Sequence, residues 1–185
     1  DVTYFNFLRF IIVFVATLPF MLIKFKKISK EGLKYAILAG IMLSVAVVTF
    51  VYAIKLSQAS YAALIALITP AFFITYSIKL NKETISRKAA AGITLAAAGA
   101  FIMVFLPMAL ENGVMAGRFY PLATLLLLIN SASYPLAIIA VKKSNDSGMP
   151  MISIINISAL VIVLANLLIL MIFNGSHTIT QPSSE

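Results

Sequence analysis

The sequence has no cysteine and only one histidine among its 185 residues. Without cysteine there are no disulfides, no thiolate nucleophiles and no Cys-based metal sites, and the redox compartment cannot be read. His177 lies in a polar tail, where an imidazole is ordinarily solvated and not a ligand. Charge is scarce as well. Charged residues make up 11% and hydrophobic residues 62% of the chain, against about 25% and about 45–50% in an average soluble domain. Fourteen Lys+Arg and six Asp+Glu side chains cannot give a globule of this size a polar skin. A soluble fold is nearly excluded, and the bilayer becomes the solvent.

What the chain does have is long apolar runs. A bilayer core of about 30 Å needs roughly 20 helical residues. Six segments qualify: Val2–Ile23, Tyr35–Ile54, Ser60–Ile78, Ala89–Leu110, Phe119–Val141 and Met151–Phe173. They are continuous runs and not short alternating stretches, so they predict helices and not a barrel. The expected fold is all-α, a polytopic transmembrane helix bundle with six spans. The chain opens inside an apolar run, with no initiator Met and no signal segment, and so reads as a fragment.

The net charge of +8 raises the question of nucleic acid. The cations sit in loops: Lys24, Lys26, Lys27, Lys30 and Lys34, then Lys79, Lys82, Arg87 and Lys88, then Lys142 and Lys143, all on one side. Only Lys55 and Arg118 fall on the other. This asymmetry places loops 24–34, 79–88 and 142–150 in the cytoplasm and both ends outward. The basic residues are dispersed among short loops without interleaved aromatics, so no nucleic-acid partner is expected. Lys24 to Lys34 would attract anionic lipid weakly, at about 1 kcal/mol per residue.

Acidic residues are missing from all six spans, so no intramembrane carboxylate is available for proton exchange. GxSxG, HExxH and paired-aspartate arrangements are missing too, which argues against an enzyme and leaves no catalytic, metal or cofactor site to predict. Asn174-Gly175-Ser176 matches a glycosylation acceptor, a tripeptide common by chance.

The polar residues that do enter the spans are the candidate site. Pro70 and Pro135 lie near mid-span, and each frees a backbone carbonyl. Around them stand Thr69, Thr75 and Tyr76, and Asn130, Ser131, Ser133 and Tyr134. Broken helices with exposed backbone at the midplane build solute sites in many secondary transporters, although proline kinks also occur in inert helices. Arg9 is the one charge inside a span, about 10 Å deep. It either snorkels outward or faces a cavity, where its donor fork would suit an anionic or carboxylate-bearing solute. Asn156 and Asn166 lie about 80° apart around one helix and serve either as helix glue or as solute ligands. Small residues at Ala36, Gly40 and Ser44, and at Gly92, Ala96, Gly99 and Ala100, read either as static packing or as a sliding surface.

The stretch from Ser57-Gln58-Ala59-Ser60-Tyr61 through Leu67-Ile68-Thr69-Pro70, then Leu80-Asn81-Lys82-Glu83-Thr84-Ile85-Ser86, then the glycine-rich run Gly92 to Gly99, resembles the EamA-type domain of the drug/metabolite transporter superfamily. Leu8-Arg9-Phe10 also resembles that family's second helix. The resemblance implies ten helices in two inverted five-helix repeats. Residues 1–110 would then be helices two to five of the first repeat, and residues 119–185 helices six and seven of the second, followed by an outward polar tail. Val2–Ile23 and Met151–Phe173 share little beyond apolarity, so the repeat rests on the resemblance alone. It further implies a multi-pass protein of the cell (inner or plasma) membrane that moves a small organic solute, such as an amino acid or metabolite, by alternating access. Candidate solute-binding residues are Arg9, Tyr61, Thr69, Pro70, Tyr76, Asn130, Ser133, Tyr134 and Asn156. Expected partners are the lipid bilayer and a small-molecule solute, with a homodimer left open and no cofactor. The competing reading is a non-transporting structural or assembly protein whose polar residues only hold helices together.

Overall fold

The computed structural model describes residues 2–23, 28–81 and 120–177, together with residues 86, 88, 90–92, 94–95, 98–99 and 102. No strand occurs among them. Six helices are complete: α1 (Val2–Ile23), α2 (Lys30–Leu56), α3 (Ala59–Ala66), α4 (Thr69–Asn81), α5 (Pro121–Asp146) and α6 (Met151–His177). Four of them contain stretches long and apolar enough to cross a membrane, namely Tyr4–Ile23, Lys30–Leu56, Pro121–Asp146 and Met151–Ile172. These are four of the six expected spans, and α1 has the expected bounds.

The expected span Ser60–Ile78 is not one helix. It is divided into α3, of 8 residues, and α4, of 13 residues. Pro70 explains the division. It has no N–H for the Ala66 carbonyl and is tolerated in the first turn of a new helix but not inside a continuous one. The chain restarts at Ile68, whose carbonyl accepts from the amides of Ala71 (3.0 Å) and Phe72 (3.4 Å). Most of the expected span Ala89–Leu110 lies outside the described residues. The described positions 88, 90–92, 94–95, 98–99 and 102 are helical.

Helix ends follow local chemistry. Ser29 caps α2, its hydroxyl accepting from the Gly32 amide at 3.0 Å. Pro121 opens α5, where a missing N–H costs nothing. α5 ends in a Schellman turn: Gly148 takes φ +80, its amide donates to Asn145 O (2.9 Å), and the Met149 amide donates to Ser144 O (3.3 Å). The Pro150 carbonyl then starts α6 by accepting from Ser153 and Ile154.

The chain forms two compact units, and the division falls inside α2 and α5. The unit of residues 1–44 and 137–185 packs α1 along α6 and centres on Ala36, Met149 and Ile154. The unit of residues 45–136 centres on Ala53, Ala62, Ala123 and Leu127, flanked by Phe50, Tyr61 and Tyr120. Alanines at helix contacts let backbones approach closely, and such packing is one of the terms that hold helices together in lipid.

Candidate functional site

The unit of residues 45–136 gathers the larger part of the candidate site. Tyr120, immediately before α5, and the α5 positions 124, 127 and 131 follow helical spacing and lie on one face. Leu127 on this face is fully buried. The Thr124 hydroxyl gives its proton to Tyr120 O at 2.9 Å, so it is the acceptor in its short bond with the Tyr61 hydroxyl. The rings of Tyr61 and Tyr120 meet edge to face, with centroids 5.5 Å apart and an interplanar angle of 72°. One turn beyond Leu127, the Thr69 hydroxyl donates to the Ser131 hydroxyl at 3.1 Å.

That last contact joins two weakened points of the backbone. Thr69 precedes Pro70 at the break between α3 and α4. Ser131 is the residue whose carbonyl loses its i+4 donor to Pro135, which is itself fully buried inside α5. Asn130, beside Ser131, donates through Nδ2 to Ala46 O on α2 at 2.8 Å. The cluster is built from phenols, hydroxyls, one amide and backbone carbonyls. Such groups can exchange hydrogen bonds with a polar solute without moving a charge.

Among the other predicted residues, Ser133 is buried in α5, whereas Tyr134 and Pro70 are exposed. Tyr76 packs against Phe72 one turn earlier on α4, with centroids 6.0 Å apart. Arg9 and Asn156 belong to the other unit. Arg9 is exposed on α1, with its Cζ 5.6 Å from the Phe10 ring centroid. Asn156 is buried, and its Nδ2 donates to Phe14 O and to Thr17 Oγ1, both at 2.8 Å. Asn166 is also buried. Its Nδ2 returns to Ile162 O one turn back at 2.8 Å, and its Oδ1 has no hydrogen-bond partner.

Sequence reasoning missed Tyr120 and Thr124. The available signal was the recurrence of Tyr120, Thr124 and Ser131 on one face of a helix otherwise rich in leucine. No group of three or more His, Cys, Asp or Glu side chains able to hold a metal occurs among the described residues.

A family model, the EamA-like transporter family, matches residues 1–105, more than half of the chain and the whole stretch from α1 through α4. The chain belongs to the EamA-like transporter family. No curated protein and no solved structure matches it. As an EamA-like protein with several membrane-capable helices, it is a multi-pass membrane protein of the drug/metabolite transporter type. Membership points to transport and not to enzymatic catalysis. The proline break and Thr69 fall within the part that the EamA-like match covers, whereas α5 and α6 lie beyond residue 105.

Proposed function

We propose that this EamA-like protein is an exporter or permease that moves a small organic solute, such as an amino acid or metabolite, by alternating access. One observation carries the reading. The Thr69–Ser131 bond sets the break between α3 and α4 beside the carbonyl that Pro135 leaves free. Discontinuous helices with polar side chains at membrane depth are how secondary transporters bind solutes. Tyr61, Thr69, Pro70 and Asn130 are the nearest candidate ligands, with Ser133, Tyr76 and Tyr134 on the same unit. Arg9 and Asn156 serve the other unit, and Arg9 would steer carboxylate-bearing solutes.

In this reading, residues 1–110 supply helices two to five of a first repeat and residues 119–185 helices six and seven of an inverted second one. The basic loops 24–34, 79–88 and 142–150 face the cytoplasm across a cell membrane. The partners are the bilayer and the solute, and a homodimer is compatible with both.

Uptake into proteoliposomes, screened across amino acids, other organic anions and cationic dyes, tests this. The expected result is saturable uptake of at least one solute that falls when Thr69 is changed to Val. Uptake of nothing by folded, reconstituted protein would sink it. A second reading has a specific observation in its favour. Asn130 and Asn156 both spend their amides on backbone carbonyls, as helix glue would in a non-transporting assembly protein. That reading predicts a dry bundle and an inert screen.

A further inference from the structure

At the basic end of the unit of residues 1–44 and 137–185, the start of α2 is tied to the turn between α5 and α6 by groups more than a hundred residues apart. Ser29 acts on both elements at once. Its hydroxyl accepts from the Gly32 amide at 3.0 Å and donates to Ser147 O at 3.1 Å, so it caps the start of α2 and the end of α5 together. Ser144, fully buried, donates to Gly32 O at 2.7 Å. One turn further along α2, Ser158 of α6 donates to Ala36 O at 3.1 Å.

Steric interlock accompanies the hydrogen bonds. A Cβ placed on Gly32 would sit 2.9 Å from Met149 Cβ, and one on Gly40 would sit 2.7 Å from Val161 Cβ and 3.1 Å from the Ser158 backbone. The two glycines flank Ala36 at four-residue spacing. A slip of one helical turn, about 5.4 Å, moves Ala36 into one of the two notches whichever way α2 slides. Its methyl then meets Met149 or Val161. Separation is opposed as well, because it would leave the buried Ser144 hydroxyl without its Gly32 acceptor.

We infer that this joint is a permanent seal: α2, α5 and α6 stay locked together at their basic ends throughout the transport cycle, and no solute passes between them there. The inference rests on the transport reading above, which supplies the cycle, while the lock itself can be measured without transport.

Because these 185 residues contain no cysteine, Ser29→Cys with Ser147→Cys introduces an isolated thiol pair, which a short reducible bifunctional reagent can join. The protein is assayed in proteoliposomes before joining, after joining and after reduction, using a solute that the wild type takes up. The expected result is complete cross-linking, with uptake unchanged within twofold. A loss of more than tenfold on joining that reduction reverses would overturn the seal and make the joint a gate. Hydrogen exchange of residues 32–40 in bilayers is the second readout, expected to be slow and unaltered by solute. Fast exchange there, or incomplete cross-linking of folded protein, also overturns the seal. If the wild type takes up no solute, the transport reading fails by itself, and complete cross-linking with slow exchange still carries the lock.

Discussion

The Thr69 hydroxyl donates to the Ser131 hydroxyl across 62 positions of sequence, and the two residues mark the places where Pro70 and Pro135 interrupt backbone hydrogen bonding. A bond between two neutral hydroxyls is worth about 1 kcal/mol. Thr69→Val should therefore lower transport by roughly fivefold if the bond is made only in the working state. Ser131→Ala should do the same, and the double variant should be little worse than either, because both remove one interaction. Initial uptake rates measured over this double-mutant cycle decide it. Additive losses would mean that each hydroxyl has a partner of its own.

Tyr61→Phe removes a donor from Thr124, yet Thr124 keeps its bond to Tyr120 O and the ring keeps its edge-to-face contact with Tyr120. The expected cost is about 0.5–1.5 kcal/mol, seen as a small drop in thermal midpoint in detergent. Tyr61→Ala also removes the ring from the Ala53–Ala62–Ala123–Leu127 core and should cost about 3–5 kcal/mol. Equal midpoints for the two variants would show that the ring is not packed there.

Glycine positions should divide sharply. Gly40→Ala puts a methyl 2.7 Å from Val161 Cβ and 3.1 Å from the backbone of Ser158, which neither can yield cheaply. Overpacking of this kind costs about 1–3 kcal/mol. Gly92 and Gly99 have nothing within 4 Å of an added Cβ. Alanine there should be neutral or stabilising by about 0.5–1 kcal/mol, the helix-interior difference between the two residues. Thermal unfolding of the three single variants, side by side, is the measurement, and a destabilised Gly92→Ala would contradict the open surroundings.

The two asparagines of α6 should also part company. Asn156→Leu breaks both bonds to α1, at about 0.6–1.7 kcal/mol for interhelical hydrogen bonds in membranes. Asn166→Leu deletes an acceptor that is buried without a partner, and a donor that only returns to its own helix. Removing an unsatisfied group is close to neutral or stabilising. Unfolding in detergent or by steric trapping ranks the pair, and a more damaging Asn166→Leu would reveal an unseen donor.

Four of the six expected spans are legible because hydropathy is summed over some twenty residues, and Val2–Ile23 and the start at Met151 lie where that sum places them. The division of the third span depends on a single missing N–H at Pro70, to which a window average is blind. Asn130 and Asn156 could be recognised as polar groups needing partners. Which carbonyl each would reach, Ala46 O or Phe14 O, depends on which helix faces arrive opposite one another, and local pattern does not encode that. The notch at Gly32 is invisible to local pattern for the same reason. Its meaning lies in Met149, far along the chain.

That separation has a consequence for biosynthesis. Gly32 emerges 112 residues before Ser144, the residue that will bond its carbonyl. At about 5–20 residues per second, the ribosome takes on the order of ten seconds to deliver the partner. During that interval the glycine-notched face of α2 stands in lipid or against the insertion machinery. Nascent chains stalled before residue 144 should therefore leave an Ala36→Cys thiol open to labelling, whereas chains released after α6 should protect it. The joint thus ties an early helix to a turn and a helix made more than a hundred residues later, and a chaperone that guards this protein in the interval would be expected to cover the notched face of α2.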